Sequence, residues 1–241
     1  MNIAIIGDGK MASSINSLAE NTVHNIIACY GKGDIWKLDD ADIVIEVTLP
    51  ESAVSNIEKL AELKKDMVIV TTGWYDQMNH VTEIIEKNNI RAIWASNFSI
   101  GVNFYLLILK EAARLFNNVD NYDVWGTEVH HKNKIDSPSG TAKTIENIIL
   151  NNFSKKKKIV EDRLNRKIAD NEFHFSSTRG GTNNFEHKIV FDSDSDKIEL
   201  IHRAINRNGY GEGVILASEW LTKQKPGFYS IEDLLQDFTG N

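Results

Sequence analysis

The sequence predicts an α/β protein with a Rossmann-like, doubly wound parallel sheet and a smaller α+β domain that carries an open mixed sheet. Three observations predict this fold. Short apolar runs alternate with helical repeats over the first hundred residues, a glycine turn follows the first apolar run, and later strand-like segments follow one another with few helices between them. Alternation of strands and helices is typical of parallel sheets, whereas consecutive strands favour antiparallel or mixed sheets.

The first strand and the turn after it predict a dinucleotide site. Residues 2–6 read as a buried strand, and apolar residues recur at helical spacing over 11–18. Gly7 and Gly9 lie between them, where a pyrophosphate would meet the N-terminus of the helix. A Gly-x-Gly turn without the third glycine of the usual fingerprint is a weak signal, and the preceding strand strengthens it.

The next elements continue the alternation. Strands are predicted at residues 26–30, 42–47, 67–71 and 90–95, and helices at 52–63 and 77–87. The loops at 70–74 and 95–103 place small or polar side chains at strand ends, where a nicotinamide should lie. Thr48 ends another strand and is a further candidate to face the cofactor. Trp74 and Phe98 are interpreted as packing residues.

The end of the second strand bears on which cofactor is used. Sites that prefer NAD often carry an acid there, about 20 residues beyond the glycines. Residues 30–33 read YGKG and contain no carboxylate, and Lys32 is a candidate partner for a 2′-phosphate. The sequence therefore favours NADPH, with NADH as the alternative cofactor. The competing interpretation is that Lys32 is an exposed turn residue without a role in binding.

The second half of the chain predicts a separate sheet. A helix is expected at 102–116, strands at 122–129, 173–179, 185–192 and 197–204, and returning helices at 211–221 and 231–238. The lysine run at 155–158 is interpreted as a solvated linker. We predict a dinucleotide-binding domain of residues 1–97 and 208–241, and a substrate-binding and oligomerisation domain of residues 98–207. One exposed face of the second sheet is the candidate oligomer surface.

Residues 128–142, EVHHKNKIDSPSGTA, carry the strongest signal for an anion site. They connect a predicted strand to a predicted helix, and the segment SPSGT has the capping hydroxyl, proline and glycine of a helix start. The free amides of such a start bind carboxylate or phosphate. Thr141 adds a hydroxyl donor, Gly140 lets a ligand approach the backbone, and Lys134 supplies a full positive charge.

The two histidines of this loop are candidates for acid chemistry. An imidazole is readily poised as a proton donor near neutral pH, and His130 is the candidate acid. Adjacent residues of an extended segment point to opposite sides, so one of the two histidines would take part in the chemistry while the other binds the ligand or supports the loop. Two alternatives are a basic surface loop and a metal site. The sequence contains no Cys cluster or helical His pair that would support a metal site. The possible ligands would be Glu128, His130, His131 and Asp136.

Composition limits the partners. The net charge of −7 argues against non-specific nucleic-acid binding, and no apolar run is long enough for a membrane span. The first residues lack the pattern of a signal peptide. The single cysteine, Cys29, lies in an apolar run and cannot form an internal disulfide. We therefore expect a buried thiol and a cytoplasmic location.

On these residues the chain resembles the 4-hydroxy-tetrahydrodipicolinate reductase family over nearly its whole length. The matching motifs are EVHHKNKIDSPSGTA at 128–142, TTG at 71–73, NFSIGVN at 97–103, RGG at 179–181, EH at 186–187 and GFYS at 227–230. Three positions depart from the family pattern: the glycine turn is short and ends in KMA, the acid of the second strand is absent, and Phe185 replaces a usual glycine. Ser137 also stands where alanine is usual.

The resemblance implies NAD(P)H-dependent reduction of a cyclic imine dicarboxylate in the diaminopimelate route to lysine. It implies catalytic roles for His130 and Lys134, and substrate binding by His131, Gly140 and Thr141. It implies cofactor contacts by Gly7, Gly9, Lys10, Met11, Thr71, Thr72, Gly73, Ser96, Asn97, Phe98 and Arg207, to which the residues themselves add Lys32. Homotetramers are common in the family. The rival hypotheses are another two-domain amino-acid dehydrogenase and a non-catalytic nucleotide-binding homologue.

Overall fold

The computed structural model describes residues 1–182 and 185–239, so the last two residues of the first predicted domain lie outside it. The chain separates into two compact units. The first unit is Met1–Ile100 together with the chain from Asn208 onward, and the second is Gly101–Arg207. Within the described residues, no helix combines the length and the apolar character needed to cross a membrane.

The strands, in chain order, are β1 (Asn2–Ile6), β2 (Asn25–Tyr30), β3 (Ile43–Glu46), β4 (Met67–Ile69), β5 (Arg91–Trp94), β6 (Asp123–His130), β7 (Lys158–Val160), β8 (Glu172–Arg179), β9 (Phe185–Asp192), β10 (Lys197–Ala204) and β11 (Gly227–Ser230). The helices are α1 (Lys10–Ala19), α2 (Pro50–Glu62), α3 (Met78–Asn88), α4 (Ile100–Phe116), α5 (Gly140–Asn152), α6 (Asn208–Leu221) and α7 (Ile231–Thr239). A 3-10 turn, Tyr75–Gln77, precedes α3.

The first unit contains a parallel sheet in the order β11-β5-β4-β3-β1-β2, which confirms the predicted doubly wound fold. Its central strands are mostly apolar and almost fully buried, with Glu46 at the end of β3 as a buried exception. Side chains of α2 and α3 pack with alternate residues of β1, β3 and β4 in one apolar cluster. Helix α6 packs against α1 and also contacts β4 and β5.

The second unit contains a mixed sheet in the order β10-β9-β6-β8-β7. Strands β6, β9 and β10 pair antiparallel, whereas β8 runs parallel to both β6 and β7. One face packs against α4 and α5 through a cluster that includes Phe175, Ile189 and Phe191. The other face carries partly exposed residues such as Trp125 and Ile201. This arrangement confirms the predicted open mixed sheet.

Three local expectations are wrong. The lysine run at 155–158 is not a solvated linker, because Lys156 is 2% exposed and pairs with Asp123, and Lys158 begins β7, which pairs with β8. Strand β11 has no counterpart in the sequence prediction. Cys29 is exposed, because β2 is the edge strand of its sheet and alternate residues face away from the core. His130 is the last residue of β6 and not the first residue of the loop.

Candidate active site

The glycine turn of the first unit has the geometry of a dinucleotide cradle. Gly7 has φ +136°, and a Cβ there would lie 2.2 Å from the carbonyl oxygen of Val47, so only glycine fits. Around Gly9 a Cβ would meet nothing within 4 Å, which leaves room for a ligand. No side chain caps the N-terminus of α1, so its first amides are available to a pyrophosphate.

A cavity of about 670 Å³, which we name the glycine-turn cavity, opens beside this turn. The turn, the end of β2, the end of β3 and the first turns of α2 surround it. Its lining includes Gly7, Asp8, Gly9, Tyr30, Gly31, Lys32, Gly33, Asp34, Trp36, Thr48, Ser52, Ser55, Asn56 and Lys59. Its size and its position at the carboxyl ends of parallel strands fit part of a dinucleotide.

A second cavity of about 280 Å³, the strand-end cavity, lies at the ends of β3, β4 and β5. It gathers six residues predicted to bind the cofactor: Met11, Thr71, Thr72, Ser96, Asn97 and Phe98. Gly73 and Lys10 do not line either cavity, although Gly73 has φ +85° in the adjoining loop. Phe98 also packs closely, since a Cβ on Gly213 of α6 would lie 1.7 Å from its carbonyl oxygen.

Glu46, for which the sequence suggests no role, lies buried beneath both cavities. Its Oε1 accepts hydrogen bonds from the Thr48 hydroxyl and from Asn56 Nδ2. The Thr48 amide donates to the Thr71 hydroxyl at 2.7 Å, and Thr48 lines both cavities. Burial raises the pKa of Glu46, against the hydrogen bonds from these side chains. Glu46 therefore fixes the Thr48 side chain, which belongs to the lining of both cavities.

In the second unit, His130 and His187 flank the buried carboxylate of Glu128. Antiparallel pairing sets Glu128 opposite His187 and His130 opposite Phe185. Glu128 Oε2 lies 3.5 Å from His130 Nδ1 and 3.3 Å from His187 Nε2. All three residues lie on the inner face of the sheet, because residues two apart on a strand share a face.

The other oxygen of Glu128 is surrounded by donors. Glu128 Oε1 accepts from Ser139 N at 3.1 Å, from Ser177 Oγ at 2.8 Å and from Arg179 Nη2 at 2.7 Å. Burial alone would raise the pKa of Glu128, but hydrogen bonds from His187 and these groups outweigh it and hold the pKa far below its usual value. Glu128 is therefore a fixed negative charge beside His130.

His130 itself is 5% exposed. Burial lowers its pKa to about 4, and the Glu128 carboxylate opposes that shift. The imidazole is consequently neutral at pH 7 in the unliganded chain. A bound dianion would act in the same direction as Glu128 and favour the imidazolium.

The loop after β6 carries the other predicted substrate residues. Lys134 Nζ contacts both carboxylate oxygens of Asp136, at 2.7 and 2.9 Å, and these bonds lower the pKa of Asp136. His131 lies outside the buried cluster, with its Nε2 3.2 Å from Arg207 Nη2. Adjacent histidines thus face different surroundings, as predicted, and Arg207 lies beside the substrate loop.

Helix α5 begins as the sequence predicts. Ser139 is the N-cap, and its hydroxyl accepts from the Ala142 amide at 3.2 Å. The amides of Gly140 and Thr141 have no hydrogen-bond partner among the described residues, and both residues are at least partly exposed. This end of the helix can therefore receive a carboxylate.

The four metal ligands suggested from the sequence do not all come together in this region. Arg179, of the RGG motif, directs its guanidinium to Glu128 and to the carbonyl oxygen of Asp136. Of the four suggested metal ligands, His131 contacts Asn133 N and Arg207, and Asp136 contacts Lys134. Within the described residues a different trio, Glu128, His130 and His187, has ligand atoms within 4.8 Å of one another. The guanidinium of Arg179 already balances the carboxylate of that trio.

Comparisons with known proteins match both units of the chain. The family model described as dihydrodipicolinate reductase, N-terminus, matches residues 1–98, and the model for the C-terminus matches residues 101–235. A 4-hydroxy-tetrahydrodipicolinate reductase of Christiangramia forsetii is 33% identical over an alignment of 252 positions, covering 100% of both chains. A protein of the same name from Methanoregula boonei is 33% identical over 80% of this chain and 74% of its own.

A solved structure shares the fold. It is a dipicolinate-bound dihydrodipicolinate reductase from Paenisporosarcina sp. TG-14, with a TM-score of 0.79, 22% identity, and coverage of 97% of this chain and 99% of the other. Fold and site therefore define a nicotinamide-dinucleotide-binding oxidoreductase with two units. More narrowly, the chain belongs to the dihydrodipicolinate reductase family.

Proposed function

We propose that this protein is a 4-hydroxy-tetrahydrodipicolinate reductase, which forms tetrahydrodipicolinate in the diaminopimelate route to lysine. The observation that carries the proposal is the junction of β6 and α5, where His130, Lys134 and the free amides of Gly140 and Thr141 belong to one short segment. This segment offers a proton donor and two kinds of carboxylate partner. A bound reduced nicotinamide supplies the hydride.

The residues of the second unit account for binding and proton transfer. One substrate carboxylate binds the amides at the start of α5 together with the Thr141 hydroxyl. The other carboxylate replaces Asp136 as the partner of Lys134. This double attachment orients the ring. Hydride addition at C4 of the conjugated imine, after the 4-hydroxyl leaves as water, develops negative charge in the ring. His130 donates the proton that neutralises this charge, and Glu128 stabilises the imidazolium before transfer.

The residues of the first unit fit the cofactor. Gly7, Gly9 and the start of α1 would hold the pyrophosphate, and Thr71, Thr72, Ser96, Asn97 and Phe98 would surround the nicotinamide. We also include Lys10, Gly73 and Arg207 among the proposed cofactor contacts. Lys32 does line the glycine-turn cavity, which supports the sequence expectation of NADPH, but two carboxylates line it as well.

We also propose a cytoplasmic homotetramer. The family resemblance supports this assembly, and the outer face of the second sheet offers a surface for it. Ile201 on that face is 36% exposed and lies opposite Lys188 of β9. The cytoplasmic location is supported by the need for a supply of reduced nicotinamide and by the single cysteine of the chain.

An assay with synthase-generated substrate and either NADH or NADPH tests the activity. We expect turnover by the wild type and a fall in kcat of roughly 100-fold in His130→Gln, since general acid catalysis contributes 10²–10⁴-fold. Lys134→Ala should lower kcat and raise KM, whereas Lys132→Ala, a neighbouring exposed lysine of the same loop, should behave like the wild type. No turnover, or full kcat in His130→Gln, would contradict the proposal.

A further inference from the structure

Two carboxylates line the part of the glycine-turn cavity where β2 ends. Asp34 directly follows the segment YGKG at 30–33, and Asp8 belongs to the glycine turn itself. The fold brings them together around Gly31. A Cβ built on Gly31 would lie 2.8 Å from Asp8 Oδ2 and 3.7 Å from Asp34 Oδ2.

The backbone holds the Asp34 carboxylate in place. Asp34 Oδ2 accepts a hydrogen bond from Gly31 N at 2.7 Å, and the Asp34 amide donates to the Gly31 carbonyl at 3.3 Å. These two bonds close a tight turn at the carboxyl end of β2. The carboxylate is therefore fixed before any ligand binds, and its second oxygen remains available as an acceptor.

The end of the second strand is where a dinucleotide site contacts the adenosine ribose. A carboxylate there accepts hydrogen bonds from the ribose hydroxyls. A 2′-phosphate would replace one hydroxyl donor with a group that carries nearly two negative charges and only acceptor oxygens. Beside Asp34 and Asp8 such a group would be repelled.

Within the described residues, neither lysine of the cavity forms an ion pair with Asp8 or Asp34. Lys59 Nζ lies 3.8 Å from the centroid of the Trp36 ring and is already engaged by it. Lys32 is exposed and makes no hydrogen bond or ion pair with the described part of the chain. Ordering its flexible side chain costs entropy, whereas Asp34 is already ordered.

We infer that Asp34, assisted by Asp8, makes this chain select NADH over NADPH. The inference rests on the dinucleotide site of the proposed function, and it replaces the preference that Lys32 alone suggests. Asp34 acts as a specificity-determining residue, because it accepts hydrogen bonds from the ribose diol and repels a 2′-phosphate.

Dissociation constants of NADH and NADPH, measured from the fluorescence of the bound nicotinamide, test this without turnover. We expect the wild type to bind NADH at least about tenfold more tightly. Asp34→Asn keeps an acceptor for Gly31 N but removes the charge, and it should reduce the NADH preference by about tenfold. Asp39→Asn changes an exposed carboxylate of the same loop that does not line the cavity, so it should leave the preference unchanged.

Two results would overturn the inference: wild-type protein that binds NADPH as tightly as NADH, or an unchanged preference in Asp34→Asn. Failure of both dinucleotides to bind would instead overturn the proposed function, and this inference with it. The same titrations with AMP and with adenosine 2′,5′-bisphosphate, which differ only in the 2′-phosphate, isolate the ribose position from the nicotinamide. The wild type should bind AMP more tightly than the bisphosphate, and Asp34→Asn should narrow that difference.

Discussion

Phe185 sets the surroundings of the proposed proton donor. Its ring centroid lies 5.8 Å from that of the His130 imidazole at an interplanar angle of 22°, so the two rings are nearly parallel. It also lies 5.6 Å from the His187 ring. A phenyl ring in this position excludes water from His130, and exclusion of water is the main cause of the lowered pKa.

Replacing Phe185 with glycine, the usual residue of the family, should raise the pKa of His130 from about 4 toward its ordinary value. Water would reach the imidazole and stabilise its charged form. Titration of the imidazole by NMR measures the change. Phe185→Leu keeps an apolar cover and should produce a much smaller shift. A His130 titration that is identical in wild type and Phe185→Gly would show that the phenyl ring has no such effect.

Residues that are contiguous in the site could be predicted, and those joined by strand pairing could not. His130, Lys134, Gly140 and Thr141 lie in one segment, where charge and helix-start chemistry are visible in the sequence. The contact of Glu128 with His187 depends on the register of β6 and β9. The sequence contains two signals of this contact: Glu128 and His130 share a face of their strand, and the pair EH occurs at 186–187. Neither signal fixes the register of the two strands.

At the scale of elements, α5 carries a buried acid that the proposed reaction does not use. Glu146 is 1% exposed, and neither carboxylate oxygen has a hydrogen-bond partner within the described residues. Lys143 Nζ lies 3.5 Å away but also contacts Glu161. Burial, followed by the charge of Glu161, raises the pKa of Glu146 to about 7.

This raised pKa predicts a pH-dependent stability. The folded state favours protonated Glu146, so its contribution is fully present below the unfolded pKa near 4.5 and is lost as the pH rises through about 7. Glu146→Gln should therefore gain roughly 2–3 kcal/mol in unfolding free energy relative to the wild type between pH 5 and pH 8. Urea unfolding at the two pH values measures this difference. The exposed Glu111→Gln should show no such dependence, and an equal result for both variants would refute the assignment.

Most elements followed from periodicity and glycine placement, and the exceptions share a cause. β7 and β11 are short and contain no fully buried residue, so no buried apolar run marks them, and each is specified by its pairing with a neighbouring strand. The exposure of Cys29 could not be predicted for a similar reason. Its apolar neighbours predict a strand, but the order of strands decides whether that strand lies at an edge.

At the scale of the whole molecule, the proposed tetramer predicts a mass four times that of the 27.2 kDa chain. Light scattering coupled to size-exclusion chromatography would measure it. Ile201→Lys places a charge beside Lys188 on the outer face of the second sheet and should dissociate the assembly. Val23→Lys, on an exposed turn of the first unit, should leave the mass unchanged. A wild-type mass of one chain would refute the tetramer.

The central claim is that the junction of β6 and α5 binds a dianion and that His130 takes up a proton as it does so. Calorimetric titration of dipicolinate into the dinucleotide-bound protein at pH 7, repeated in two buffers of different ionisation enthalpy, measures this directly. We predict uptake of nearly one proton by the wild type and almost none by His130→Gln, since the pKa of about 4 must rise past neutrality. Binding without proton uptake in the wild type, or equal uptake in His130→Gln, would contradict the account.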